Sequence, residues 1–462
     1  MSWMHNFGVL VLLCALLSLP AGCREKPEPA LFGPAEQAVR EKIRQAEGLL
    51  TAGKPREAEA AFRAALQADP RSDRAAAGLS RTYFQNREFP QAIQWGETAA
   101  KLNPTSSETW AGLARALDQA GRREEAVDAM RKAAKLEPIN PGYYNELGVL
   151  WGKLNAFDEA VAAFSRAIAI NSKNPEAYNN LGMVLLQKGD LKKAREAMEE
   201  ALKIRPDYAK GRLNLGLVLD QAGEEDAALR EYQEAIRLQP TLIPAHFLSG
   251  NIYLKRGALE KAEWSFQTIV DMKTAFPPAY MRLGEIALKR KDYEKAMGFL
   301  RTAISLAPQE AASYDLLGLA QMESGDLDGA YKSFVWAIDL NAQNDLFYLH
   351  LGELQMKQSR FQQAKSALER ALALRPDNAR PHLLLGRIFE TTGENERAAE
   401  AYRKAEGLDP NGGDGRAAEE ARRRMEGTPA SSPEPRATAG ELFYESVLKK
   451  INAQNTPPSG IK

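Results

Sequence analysis

Side chains equipped for chemistry are scarce in this sequence. Its 462 residues include four histidines, His5, His246, His350 and His382, and two cysteines, Cys14 and Cys23. No two histidines stand at the short spacing that presents paired imidazoles to a metal, and no Gly-x-Ser-x-Gly elbow or phosphate-cradling glycine loop occurs. We therefore assign no catalytic residue, no metal ligand and no cofactor, and expect a protein that is not an enzyme. Both cysteines lie in the first twenty-three residues, so no disulfide can brace the rest of the chain.

Charge narrows the partners. Lys+Arg and Asp+Glu are equal at 61 each and the pI is about 7.0, which provides no field to steer nucleic acid. The basic run Arg422 to Arg424 is flanked by Glu419, Glu420 and Glu426 and reads as a solvated helix face rather than an anion site.

The elements that must position any site come from a repeat. Residue 175 aligns with 209, 243, 277, 311, 345 and 379, and backwards with 141, 107, 73 and 39, so the chain matches itself every 34 residues without an insertion. Eleven copies cover 39–412. The eighth place is always small: Ala46, Ser80, Ala114, then Gly148, Gly182, Gly216, Gly250, Gly284, Gly318, Gly352 and Gly386. The twentieth place is alanine throughout, from Ala58 to Ala398, and the twenty-seventh is alanine except for Ile269.

Each copy reads as two amphipathic helices of about thirteen residues, split by a turn such as Lys188-Gly189-Asp190 and closed by a proline such as Pro206. A mid-helix glycine costs roughly 0.5–1 kcal/mol against alanine. Close approach of the paired helices, with Gly182 set against Ala194, would offset that loss. Trp110, Tyr144, Tyr178, Tyr280, Tyr314 and Tyr348 hold the fourth place, and Phe62, Phe164, Tyr232, Phe266, Phe334 and Tyr402 the twenty-fourth; both sets read as core. His246 and His382 fall in the fourth place and read as substitutes for its aromatic residue.

This pattern resembles the tetratricopeptide repeat family, over about four fifths of the chain. The resemblance implies an all-α, right-handed superhelical solenoid of eleven helix-turn-helix repeats, with the first helix of each lining a concave groove. Lys42 and Ala76 depart from the fourth-place aromatic, so the copies from 39 to 106 match less well.

The resemblance also implies that extended peptides lie in the groove and that asparagines on first helices bond their backbones, since one amide both donates and accepts. Carried over place by place, the candidates are Asn145, Asn179, Asn180, Asn214 and Asn251, and the apolar wall between them is Met183, Leu213, Leu217, Phe247, Leu254 and Met281. Lys255, Lys289 and Lys357 alternate with Glu285, Glu323 and Glu353, which argues against a dedicated carboxylate clamp.

Residues 1–22 read as a signal peptide, with an apolar run from Phe7 to Leu19 too short to span a bilayer comfortably. The stretch Leu19-Pro20-Ala21-Gly22-Cys23 resembles the lipobox of bacterial lipoproteins, although Pro20 replaces a leucine and the leader has no Lys or Arg before its apolar run. That resemblance implies acylation of Cys23, a proline-rich tether over 23–38 and a place in the bacterial envelope, as an outer-membrane lipoprotein or in the periplasm. Ordinary secretion is the alternative.

After the array, 413–426 reads as a polar capping helix, 427–440 as a disordered linker and 454–462 as a tail. Between the last two, 441–453 reads as a short amphipathic helix that places Phe443, Tyr444, Val447, Leu448 and Ile451 on one face. A helix this short needs a partner, so residues 441–451 are expected to dock on another protein or back into the groove, the alternative being a tail packed on the outside of the last repeats. About fifty residues follow the array, too few for a catalytic domain. The leading expectation is a protein-binding scaffold; the alternatives are a substrate-recruiting or regulatory subunit of a separately encoded enzyme, such as a glycosyltransferase, and a structural spacer.

Overall fold

The computed structural model describes residues 34–425, and among these it holds 23 α-helices and no strand. The signal peptide, Cys23, most of the tether, the linker and the 441–453 segment lie outside the described residues. Contacts divide the chain into two compact units, one ending at Leu150 and the other beginning at Trp151.

The first unit contains α1 (Pro34–Thr51), α2 (Pro55–Ala68), α3 (Asp73–Gln85), α4 (Phe89–Leu102), α5 (Ser107–Gln119) and α6 (Arg123–Leu136), paired as hairpins. The division falls within α7 (Pro141–Lys153). The second unit opens with α8 (Phe157–Ile170), α9 (Pro175–Lys188) and α10 (Leu191–Ile204), followed by α11 (Ala209–Gln221), α12 (Glu225–Leu238), α13 (Ile243–Lys255) and α14 (Leu259–Asp271). It continues with α15 (Pro277–Lys289), α16 (Tyr293–Leu306), α17 (Ala311–Ser324) and α18 (Leu327–Leu340). Last come α19 (Asp345–Lys357), α20 (Phe361–Leu374), α21 (Ala379–Thr391), α22 (Asn395–Leu408) and α23 (Gly413–Met425). Odd-numbered helices from α9 to α21 are first helices, each packed on its own second helix and on the second helix of the preceding hairpin. The fold class is the all-α helical-hairpin repeat. No described helix is long and apolar enough to cross a membrane.

Local chemistry explains the hairpin turn. The fifteenth place takes a positive φ in all eleven copies, glycine in seven of them and Arg87, Asn155, Lys291 and Ser359 in the rest. Gly189, at φ +86°, ends α9, and the Asp190 side chain then accepts the backbone N–H of Lys193 to start α10.

The small eighth place meets a larger partner in addition to the alanine the sequence suggested. A Cβ added at Gly182 would lie 2.7 Å from Met198 Cγ and 3.1 Å from the Ala194 carbonyl oxygen, so the twenty-fourth-place side chain sits over the glycine and the alanine backbone comes second. Gly250 meets Phe266 and Gly318 meets Phe334 in the same way. The glycine makes room for a large buried side chain, and the alanines of the twentieth and twenty-seventh places, all fully buried, let the helices close around it.

The fourth place also differs from expectation. Its aromatics are half-buried, and some of its side chains bond the carbonyl of the proline that closes the preceding hairpin. Trp110 donates to the Pro104 carbonyl at 2.9 Å and Tyr314 to that of Pro308 at 3.3 Å; His246 Nε2 lies 2.9 Å from the Pro240 carbonyl. Arg212 reaches the Pro206 carbonyl at 3.3 Å from the same place. A histidine serves there because, like tryptophan and tyrosine, it offers a flat ring with a hydrogen-bonding end.

Candidate functional site

First helices of neighbouring hairpins touch in the second unit, α9 with α11, α15 with α17, α17 with α19 and α19 with α21. Their fifth, sixth and ninth places carry most of the candidate residues. Asn145 stands apart, half-buried on α7 in the unit that ends at Leu150.

Asn214 Nδ2 donates to Asn179 Oδ1 at 2.8 Å, joining α11 to α9, while Asn179 Nδ2 is 3.5 Å from Asn180 Oδ1. The bridge therefore runs from the fifth place to the sixth of the next hairpin, not between the matching Asn180 and Asn214. Asn179 is buried and Asn214 half-buried, with Met183 and Leu217 half-buried beside them. Asn251 has a buried Oδ1 with no partner.

Part of the anticipated apolar wall is core. Phe247 packs edge-on against Phe266 and Phe276, with ring centroids 5.6 and 5.3 Å away, and Leu254 joins the same cluster. Met281 is buried with Leu316 and Leu317, and Leu213 with Leu185 and Leu248. These side chains hold hairpins together because the fifth place faces the neighbouring hairpin wherever the stack is tight.

Charges are buried along the same row, with no signal of it in any single hairpin. Arg282 and Glu285 on α15 pair at 2.7 Å with side chains 1% and 0% exposed, and Arg282 Nε and Glu285 Oε1 have no hydrogen-bond partner. His350 Nδ1 on α19 lies 2.7 Å from Asp315 Oδ1 on α17. Arg380 on α21 joins Glu353 at 3.1 Å and Asp414 of α23 at 2.9 Å. Burial opposes charge on His350, yet the carboxylate of Asp315, with Glu353 and Asp345 nearby, holds its pKa above the ordinary histidine value. Burial raises the Glu353 carboxyl despite the pull of Arg380, whose own pKa is raised by Glu353 and Asp414 against burial.

The Lys/Glu alternation resolves into pairs. Lys357 meets Glu323 at 2.6 Å and Lys255 pairs with Glu225, so neither stands ready as a clamp. Among the described residues no cluster of three or more His, Cys, Asp or Glu could hold a metal.

In the first unit a cleft of about 740 Å³ opens along α1, α3 and α5, lined by Glu47, Arg74, Arg81, Phe84, Glu108 and Arg115 among others. Arg74 pairs with Glu47 at 3.3 Å and Arg81 with Glu108 at 3.5 Å. The site residues chosen from sequence miss this cleft; the ninth-place succession of Glu47, Arg81 and Arg115 is the signal that pointed to it.

Tetratricopeptide repeat families match residues 277–310 and 349–413, on the stretch whose hairpins have just been described. The chain is a tetratricopeptide repeat protein. Residues 23–246 of this repeat protein match a further family, the C-terminal domain of cilia and flagella-associated protein 70. Among solved structures it is similar to MamA, at 24% identity over 37% of this chain and 92% of that one, with a TM-score of 0.34. A tetratricopeptide repeat protein from Parabacteroides merdae is 20% identical over 55% of this chain and 98% of that one, at 0.46. YrrB, described as having an unusual peptide-binding site, is 22% identical over 40% and 95%, at 0.35. No curated protein matches the chain. The repeats make this protein an interaction scaffold.

Proposed function

We propose that this protein is a non-enzymatic scaffold that binds extended peptide segments along the first-helix row of its second unit. The observation that carries this reading is the row of half-buried first-helix amides: Asn180, Asn214 bridged to Asn179, and Asn251, whose Oδ1 has no partner among the described residues. A buried polar atom left unpaired costs about 1–3 kcal/mol. An extended peptide backbone offers donors and acceptors in alternation and could satisfy them.

The test replaces Asn179 and Asn214 together by alanine. Recovery of bound partner should fall about tenfold, the loss of roughly one net hydrogen bond, with the hairpins still folded. Unchanged recovery would remove the row as the binding surface.

The export reading joins this proposal through Cys23, acylated and anchoring the scaffold in a bacterial envelope. Metabolic labelling with a fatty-acid analogue should mark the wild-type chain and leave Cys23→Ser unlabelled. Equal labelling of both, or of neither, would reject the anchor.

A further inference from the structure

Hairpin 243–276 breaks the repeat on the side of its second helix. At the seventh place nine of the eleven hairpins carry leucine, from Leu79 to Leu385, whereas this one carries Ser249. At the twenty-second place it carries Trp264, where the others have Ala, Gln, Asp, Glu, Arg, Gly, Lys or Ser. That place faces outward, since a Cβ added to its counterpart Gly298 meets nothing within 4 Å. Trp264 is accordingly 62% exposed, with the His246 ring behind it at 6.0 Å.

Replacing the leucine by serine leaves a hole. A cleft of about 410 Å³ lies between α12, α13 and α14, lined by Ile236, Ser249, Tyr253, Lys261, Trp264 and Ser265 among others. Both serine hydroxyls are spent internally, Ser249 on the Ala245 carbonyl at 2.8 Å and Ser265 on that of Lys261 at 2.9 Å, so they ask nothing of a ligand. The hole thus suits an apolar side chain. At its rim the Lys261 ammonium lies 5.7 Å from the Tyr253 ring centroid and makes no ion pair among the described residues, while Glu260, also in the lining, is paired with Arg290 at 3.4 Å. A fitting occupant carries an aromatic or aliphatic side chain next to an acid.

This chain contains such a segment, Glu441-Leu442-Phe443-Tyr444-Glu445. Residues 426–440 span at most ~50 Å when fully extended. The cleft lies five hairpins before α23, about 50 Å away at one helix diameter of ~10 Å per hairpin. A chain could fill its own cleft only with its linker drawn taut. We propose that the cleft receives residues 441–445 of a second copy, with Phe443 in the place of the missing leucine and a flanking glutamate on Lys261. Reciprocal exchange of tails closes a two-fold dimer. The proposal is independent of the first-helix row and can fail separately from it.

The test uses the full chain and the repeat's own solution to the hole, Ser249→Leu. Sedimentation velocity at tens of micromolar should show a dimer for wild type and a monomer for Ser249→Leu and for Phe443→Ala, with dissociation constants raised at least tenfold. A mixture of the two variants should regain a one-sided dimer, because one supplies an intact tail and the other an open cleft. A photocrosslinker at Tyr444 in mixed light and heavy chains should attach across chains to residues 233–265. A wild-type monomer, a dimer indifferent to Ser249→Leu, or attachment within one chain or to the first-helix row would overturn the proposal.

Discussion

Phe334→Ala should weaken its hairpin by about 3–5 kcal/mol, the usual cost of removing a fully buried phenylalanine ring. Phe334 has no exposed surface and sits over Gly318, whose missing Cβ would lie 2.6 Å from the ring. Its far side meets the His350 ring at 5.9 Å, so the same ring joins hairpin 311–344 to α19. Collapse onto the cavity is limited because the neighbouring Ala330 and Ala337 are fully buried and carry only a methyl group, too short to extend into it. Repeat arrays do not unfold as one unit, which makes local opening the right observable. Hydrogen exchange of α17 and α18 should lose two to three orders of magnitude of protection, at about 1.4 kcal/mol per tenfold, while α3 and α4 stay unchanged. A loss of tenfold or less would mean that this ring is not the keystone of its hairpin.

Arg380→Met should cost on the order of 3 kcal/mol at neutral pH, since breaking a buried ion pair strands the remaining charge. Arg380 links α19 to α23 through Glu353 and Asp414, and its side chain is 12% exposed. The pH dependence follows from Glu353. Its folded pKa is raised by burial, so the protonated carboxyl favours the folded state at low pH, and that contribution is lost as pH rises through the folded pKa. Without Arg380 the folded pKa rises further. The deficit of the variant should therefore be largest near pH 7 and shrink below the ordinary carboxyl pKa of about 4.5, where Glu353 is neutral in both folded and unfolded chains. Adding Glu353→Leu to Arg380→Met should restore most of the lost protection in α19 and α23 at neutral pH. A deficit that grows on acidification would contradict this arrangement.

The fold was legible because its determinants are local and recur. The small residue of the eighth place and the alanine of the twentieth state their constraint in all eleven copies, the alanine of the twenty-seventh in ten and the closing proline in eight. What the glycine faces was less legible. Met198 and Ala194 lie four residues apart on the same face of α10, and only the crossing geometry puts the Met198 side chain over Gly182.

Placement on the first helices was legible in the candidate row; what each side chain faces was not. Asn179, Asn214 and Asn251 do belong to first helices whose polar atoms gather in one row, whereas Phe247 and Met281 turn into the hairpin contacts. A fifth-place residue can line an open face or pack on the next hairpin, and the sequence of one hairpin does not say how close its neighbour stands. The buried charges were missed because Arg282, Asp315 and His350 look like surface residues when read singly. Their signal is relational: Asn179 and Asn214, Asp315 and His350, and Arg380 and Asp414 are complementary residues 34 or 35 positions apart, one repeat along.

The measurement that bears most directly on the scaffold reading is in-cell photocrosslinking from a probe at Asn214, followed by mass spectrometry of what is attached. The account predicts a covalent adduct with an extended segment of a separate protein, and its loss when Asn179 and Asn251 are also replaced. Adducts confined to this chain's own helices, or the same partner captured equally from a probe at an outward place such as Gly298, would contradict the first-helix row as the working surface.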